Sequence, residues 1–470
     1  MKKRIAAFTA VMLAGALTFT LAGCGLFNAD PDAKYAYDVA TDRGFDGSEA
    51  SWLASLDTPS THERKLYEEA CENGYTGSYT DFLREIGAAG KDDTVGVQTA
   101  LRSVVAIDCR FDVTSNFLSS VSLSMGAGVI YSLDGSGNAY VVTNYHVIYN
   151  GSSMGKEKVA HISDNISLYL YGSGYTGGGR ISSQAISATY LGGSMDYDVA
   201  VLKVAGSTVV TDDDGNTHTN RDVLLKSGAA ALVGANSDAI TVGQRVYAIG
   251  NADGEGIAVS GGVVSVDAEY ITIGTADEKR TVSMLEIRTD AAVNHGNSGG
   301  GLFNADGELV GLVNARSEED GVVAFGYAIP ANLALSVAQN IIDNASDAVK
   351  GSRRATVGIT LSAYESKSVY DETTAKYYIE EKVVIAAISD TRLPGYRAGL
   401  RVGDTVVTAA IMRNGTAVRT VDVTRRHKLT NLLFEVRLGD TLRLTVTREG
   451  SEEPLEFDVT FSAGDFVLYS

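Results

Sequence analysis

Gly296-Asn297-Ser298-Gly299-Gly300 carries one hydroxyl on a turn whose neighbours have almost no side chain to obstruct a reacting group. Serine is a weak nucleophile at neutral pH, so such a turn gains chemical meaning only if the chain also supplies a base and a group to orient it. Two upstream segments offer both. Thr143-Asn144-Tyr145-His146-Val147 contains an imidazole, and Tyr197-Asp198-Val199-Ala200-Val201-Leu202-Lys203-Val204 opens an apolar run with a carboxylate. Taken singly they read as a surface turn, a structural histidine and a strand cap. Taken together they predict acyl transfer, with Ser298 as nucleophile, His146 as general base and Asp198 as the acid that fixes the imidazole tautomer. Asp196, expected on the same strand face, competes for the carboxylate role. Only Asp198 directly precedes the apolar run, and it is preferred.

The oxyanion formed on attack needs two backbone N–H donors converging on one point. Gly296, Asn297 and Ser298 form the candidate turn, with the amides of Gly296 and Ser298 as the two donors. From residue 95 to about 344, β-branched runs at 104–107, 128–131, 140–143 and 199–204 alternate with turns rich in Gly, Asn and Asp. The whole chain holds 51 Gly and only 5 Pro, a balance that suits tight β turns. The fold expected is mainly β: a double β-barrel, the first barrel carrying His146 and Asp198 and the second Ser298.

Of 470 residues 44% are hydrophobic and 21% charged, enough for extensive cores. With 58 acidic against 39 basic residues the formal charge is −19, the wrong sign for a nucleic-acid partner. His161, His218, His295 and His427 are scattered without paired ligands, so neither a metal nor a cofactor is expected. Asp212-Asp213-Asp214-Gly215-Asn216 lacks the distal Glu of a calcium loop and reads as a hairpin turn.

His146, Asp198 and Ser298 with their surroundings resemble the HtrA/Deg family of chymotrypsin-fold serine proteases. The likeness extends to Tyr247-Ala248-Ile249-Gly250-Asn251, Val259-Ser260-Gly261-Gly262-Val263-Val264-Ser265, Thr289-Asp290-Ala291-Ala292-Val293-Asn294 and Phe325-Gly326-Tyr327-Ala328-Ile329-Pro330. Ala252 stands where the family commonly has Pro, and the segment 150–196 is long and rich in Gly and Ser. The resemblance implies a serine endopeptidase acting on unfolded or misfolded proteins, and a homotrimer. It also implies a substrate pocket at Ala292, Gly326, Tyr327, Ala328 and Ile329. In trypsin-type pockets the residue six before the nucleophile is an Asp that pairs Lys or Arg; here it is Ala292. Small and medium aliphatic residues are therefore expected before the scissile bond.

At the N-terminus Lys2, Lys3 and Arg4 precede an apolar run to Gly23, the pattern of an export signal. Leu21-Ala22-Gly23-Cys24 resembles the bacterial lipoprotein box, which implies acylation of Cys24 and tethering of the mature chain to the membrane. An uncleaved membrane helix is the alternative. Residues 24–34 read as a linker. Within 35–90 the segments 37–56 and 67–86 align with each other, each reading as two short helices about a Gly-aromatic-x-Gly turn, either a spacer or a binding unit. Cys71 and Cys109 form no disulfide framework and are expected to be buried or inert.

The protease part is expected over 91–345, with a linker at 346–353. Val357-Gly358-Ile359, Tyr396-Arg397-Ala398-Gly399-Leu400-Arg401-Val402-Gly403-Asp404 and Gly439-Asp440-Thr441-Leu442 resemble a PDZ domain over 354–462, followed by a tail at 463–470. The resemblance implies capture of peptide C-termini, with Val357, Gly358 and Ile359 as the carboxylate loop. A helix is expected at 429–436, and 363–378 reads as an insertion. The expected protein is a lipid-anchored extracytoplasmic serine endopeptidase. The rival readings are a chaperone-like or surface-binding protein whose serine site is latent.

Overall fold

The computed structural model describes Cys71 and residues 93–470, apart from 116–117, 154–160, 174, 177–178, 181, 213, 235, 317–324, 347–348, 373, 375 and 470. The expected export signal, Cys24, the expected linker and, apart from Cys71, the expected repeats lie outside the described residues. The chain divides into two compact units, 1–93 and 94–470. Among the described residues no helix is long and apolar enough to cross a membrane.

Six antiparallel strands close the first barrel in the order Val104–Ser115, Leu118–Leu133, Ala139–Thr143, Val199–Val204, Ile186–Ser194 and Asn165–Leu170. Its strands are β-branched because a barrel strand buries inward side chains without gaps. Ile107, Phe111, Ile130, Val141, Leu168, Ile186 and Leu202 fill the interior. A second ring runs Glu308–Arg316, Gly301–Asn304, Arg245–Gly250, Ala258–Gly274, Thr281–Thr289 and Gly326–Pro330, and the last strand pairs back onto the first. Val246, Ala248, Val264, Ile287, Leu302, Val310, Val313 and Ala328 form its core. The expected barrel pair is therefore present.

Polar bonds stitch the barrels together beside Ser298. Asn251 of the second barrel donates from Nδ2 to the Gly126 carbonyl of the first at 3.0 Å. Ala127 N–H donates to the Ser298 carbonyl at 2.8 Å. The helix Ala331–Asn344 follows, burying Leu333, Ala334, Val337, Ala338 and Ile341 in a core that also contains Val199 and Val201. The Asp212 segment forms the expected hairpin between Val209–Thr211 and Thr217–Thr219, with the Asp212 carboxylate accepting from the Asp214 and Asn216 amides.

The C-terminal part builds a sheet ordered Ile359–Asp371, Lys376–Ile388, Thr405–Arg413, Thr441–Thr447, Leu455–Thr460, with Thr416–Asp422 paired to Thr405–Arg413. The insertion 363–378 forms the outer half of a long two-stranded ribbon, its residues continuing the pairing of the strands they extend. Two expectations, the helix and the tail, need correction. The helix is Arg426–Leu432 rather than 429–436. The expected tail is structured: Phe466–Tyr469 pairs with Ser352–Ala355, drawing part of the expected linker into the same two-stranded sheet. Cys109 is buried, and Cys71, expected to be buried or inert, is exposed; both are free. Burial raises the Cys109 thiol pKa far above its usual value, which keeps that sulfur protonated and inert.

Phe434, in the turn after the helix Arg426–Leu432, enters the protease core at 1% exposure. Asn340 secures it, donating from Nδ2 to the Phe434 carbonyl at 2.8 Å and to the Arg353 carbonyl at 2.7 Å. Arg437 bridges Asp343 at 2.6 Å, and Arg425 bridges Asp267 at 2.9 Å. Emptying that socket with Phe434→Ala is expected to destabilise the protein by about 3–5 kcal/mol. Differential scanning calorimetry should then resolve two melting transitions where the native protein shows one.

Candidate active site

His146 sits on the one-turn helix Tyr145–Ile148 and Asp198 in the turn before Val199–Val204. Their neighbouring strands Ala139–Thr143 and Val199–Val204 are paired, Thr143 opposite Ala200, so the pleat itself brings the two segments together. The Asp198 carbonyl accepts from Asn144 Nδ2 at 2.9 Å and from the Tyr145 amide at 3.3 Å. Its φ of 46° is left-handed, a conformation that needs such support in a non-glycine residue. Asp198 Oδ1 accepts the His146 amide at 2.9 Å, and Oδ2 lies 2.6 Å from His146 Nδ1. Asp196 occupies the same turn, not the strand face, and pairs with Arg280 instead.

The Asp198 side chain is 10% exposed and that of His146 39%. Packing of the imidazole works against its charge, but the Asp198 charge and hydrogen bond outweigh this and raise the His146 pKa above its ordinary 6.5. That pairing leaves Nε2 as the free basic nitrogen whenever Nδ1 carries the shared proton.

Ser298 is held from both barrels. Its carbonyl takes the Ala127 amide, and the next amide, Gly299, donates to the Val313 carbonyl at 2.8 Å. Gly299 has φ 81°, and a Cβ there would collide with the Ala127 carbonyl and Thr143 Oγ1; only glycine fits. Gly296 has φ 86° and meets the Asn251 carbonyl in the same way. The Asn297 amide is committed to the Asn294 carbonyl at 3.1 Å, whereas the Gly296 and Ser298 amides have no acceptor among the described residues. Two uncommitted donors therefore flank the hydroxyl. Ser298 Oγ donates to the Asn314 carbonyl at 3.0 Å, so in this arrangement its proton is directed away from His146.

The expected pocket residues separate into two groups. Ala292 is exposed beside the serine turn, its carbonyl accepting from Ser260 Oγ at 2.6 Å, and Gly326 is buried against Val293. Tyr327 is half-buried, with its backbone opposite Arg288. Ala328 and Ile329 are 1% and 0% exposed and belong to the barrel cores. At the C-terminal part the Val357 carbonyl accepts from the Gly395 amide, Gly358 has φ 82° beside Leu393, and Ile359 begins the first strand.

Sequence reasoning missed two residues here. Asn314 accepts the serine hydroxyl through its carbonyl, and its side chain donates to Glu286 Oε1 at 2.7 Å. Glu286 is fully buried, and that burial, reinforced by the Asp198 charge, raises its carboxyl pKa well above the usual range despite the Asn314 hydrogen bond. The available signal was a lone Glu inside the apolar run Met284-Leu285-Glu286-Ile287.

Two barrels that seat a histidine–aspartate pair and a glycine-flanked serine at their junction define a serine endopeptidase of the trypsin-like class. A family model described as a trypsin-like peptidase domain matches residues 126–312. The serine protease Do-like HtrA of Lactococcus lactis subsp. cremoris is 30% identical over 356 residues, which covers 74% of this chain and 73% of that protein. The protein of the same name from Bacillus subtilis is 27% identical over 335 residues, covering 70% of this chain and 61% of the relative. Among solved structures, the HtrA-type protease AlgW with decapeptide aligns at a TM-score of 0.44 and 24% identity, covering 79% of this chain and 98% of that one. The chain belongs to the HtrA family of serine proteases.

A base must be neutral to accept a proton, so the raised His146 pKa sets an acidic limb for kcat/KM above pH 6.5, with activity growing as pH rises through it. In Asp198→Asn the anion that raises the imidazole is gone. The limb should move to lower pH while kcat drops by about 10⁴-fold, as read from initial rates on a chromogenic peptide between pH 5 and 9.

Proposed function

We propose that this chain is a lipid-anchored extracytoplasmic endopeptidase that hydrolyses unfolded or misfolded envelope proteins through Ser298, His146 and Asp198. The observation that carries the reading is the 2.6 Å contact between His146 Nδ1 and Asp198 Oδ2 beside a serine turn with two uncommitted amides. Proton transfer requires the Ser298 hydroxyl to turn from the Asn314 carbonyl to His146 Nε2. Nε2 accepts the proton as Oγ adds to the substrate carbonyl carbon, and the oxyanion faces the Gly296 and Ser298 amides. Collapse breaks the peptide C–N bond, the imidazolium giving its proton to the leaving amine and an ester remaining on Ser298. Water then transfers a proton to His146 as its oxygen adds to the ester, and cleavage of the C–O bond returns the proton to Ser298.

Ala292 in place of an acidic residue supports cleavage after small or medium aliphatic side chains. The 354–462 part is read as a PDZ domain that takes peptide C-termini near Val357, Gly358 and Ile359. The basic-then-apolar leader ending at Cys24 supports export and lipid attachment. Relatives named as probable periplasmic serine endoproteases DegP-like, from Brucella, agree with that location.

A second reading, a latent site, draws on the Ser298–Asn314 hydrogen bond. One experiment separates the two. With unfolded casein, Ser298→Ala and His146→Ala should each lose at least about 10³-fold of the wild-type rate while keeping the native melting temperature. Wild-type protein should also label covalently at Ser298 with a fluorophosphonate probe. Casein cleavage by Ser298→Ala at the native rate removes the assignment, and absence of labelling in the wild type favours latency.

A further inference from the structure

The strand Glu308–Arg316 pairs with Gly326–Pro330 through Val313 opposite Ala328 and then Ala315 opposite Tyr327, so Asn314 is the extra residue of a β-bulge. A bulged residue is left out of the ladder and its backbone turns from the regular direction. Here the released carbonyl meets Ser298 Oγ at 3.0 Å. A bulge is also the softest point of a strand, so something must fix where that carbonyl points. Among the described residues the side-chain bonds of Asn314 run from Nδ2, to Glu286 Oε1 at 2.7 Å and to the Met284 sulfur at 3.2 Å. Thioether sulfur is a weak acceptor, and Glu286 is the stronger anchor.

Glu286 occupies a position that an apolar residue would fill more comfortably. It lies among Met284, Leu285 and Ile287, all buried, and its own exposure is 0%. Among the described residues Oε2 has no hydrogen-bond partner. A buried carboxylate with an unsatisfied oxygen is strongly disfavoured, and the negative Asp198 nearby adds to that, so the carboxyl pKa is raised well above its usual range. Oε1 is the acceptor that Asn314 Nδ2 uses.

We propose that Glu286 is a positioning residue of the protease site: its carboxyl holds the Asn314 side chain, fixes the bulge, and thereby sets the carbonyl from which Ser298 exchanges its hydroxyl to His146. The proposal rests on Ser298 being the nucleophile, and its test keeps the two ideas apart.

Three full-length variants decide it, each assayed for kcat and KM on an aliphatic peptide and for the rate of Ser298 labelling by a fluorophosphonate. Glu286→Gln preserves the Oε1 acceptor, and should keep kcat and labelling within about twofold of wild type. Glu286→Ala and Asn314→Leu each remove the bond and should lose about tenfold in kcat and in labelling, with KM within about twofold. Should Glu286→Ala fail to fold, Asn314→Leu and Glu286→Gln still decide the matter. A Gln variant as impaired as Asn314→Leu, a folded Ala or Leu variant with wild-type kcat, or a loss confined to KM would each overturn the role of Glu286. Equal labelling of wild type and Ser298→Ala would instead overturn the nucleophile.

Discussion

The Asp198 carboxylate receives the His146 main-chain amide on one oxygen and faces the His146 ring on the other. That double engagement fixes both the position of the residue and the orientation of its side chain, which a single hydrogen bond would leave free to rotate. Asp198 can do this because its own backbone is held in a left-handed turn by Asn144 and Tyr145. The strain at one residue is thus balanced by two hydrogen bonds to its carbonyl, and the catalytic geometry follows from a local conformation that no strand propensity favours.

The serine turn is held in place by hydrogen bonds that run from one barrel to the other. Ala127 from the first barrel, Val313 from the second and the close approaches permitted at Gly296 and Gly299 leave the nucleophile turn little freedom. Its hydroxyl remains the mobile element, resting on the Asn314 carbonyl. A rigid frame around one rotatable group is economical chemistry, since the frame can be ordered in advance and the reaction then moves few atoms.

The C-terminal sheet is docked onto this frame. Phe434 and Tyr469 pack against Tyr197, the residue preceding Asp198, with ring centroids 4.8 and 5.6 Å away. Arg354 lies above the Phe434 and Tyr469 rings and donates to the hydroxyls of Tyr197 and Tyr469 at 2.6 Å each. The two parts of the unit therefore share a core at a point one residue from Asp198.

What could be read from the amino acids was whatever is carried by short, periodic or chemically rare patterns. The alternation of β-branched runs with glycine turns specified two barrels, and the order of His146, Asp198 and Ser298 specified a serine endopeptidase, because few other residue sets perform that chemistry. Tertiary structure alone decided the rest: the turn conformation that separates Asp198 from Asp196, the strand formed by the apparent tail, the extended ribbon at 363–378, and the Glu286–Asn314 bond beneath the nucleophile. These depend on contacts between residues far apart in the chain, so no local period or propensity encodes them. A buried acid among aliphatics is legible as an anomaly, but its meaning appears only when the partner that folding brings to it is known.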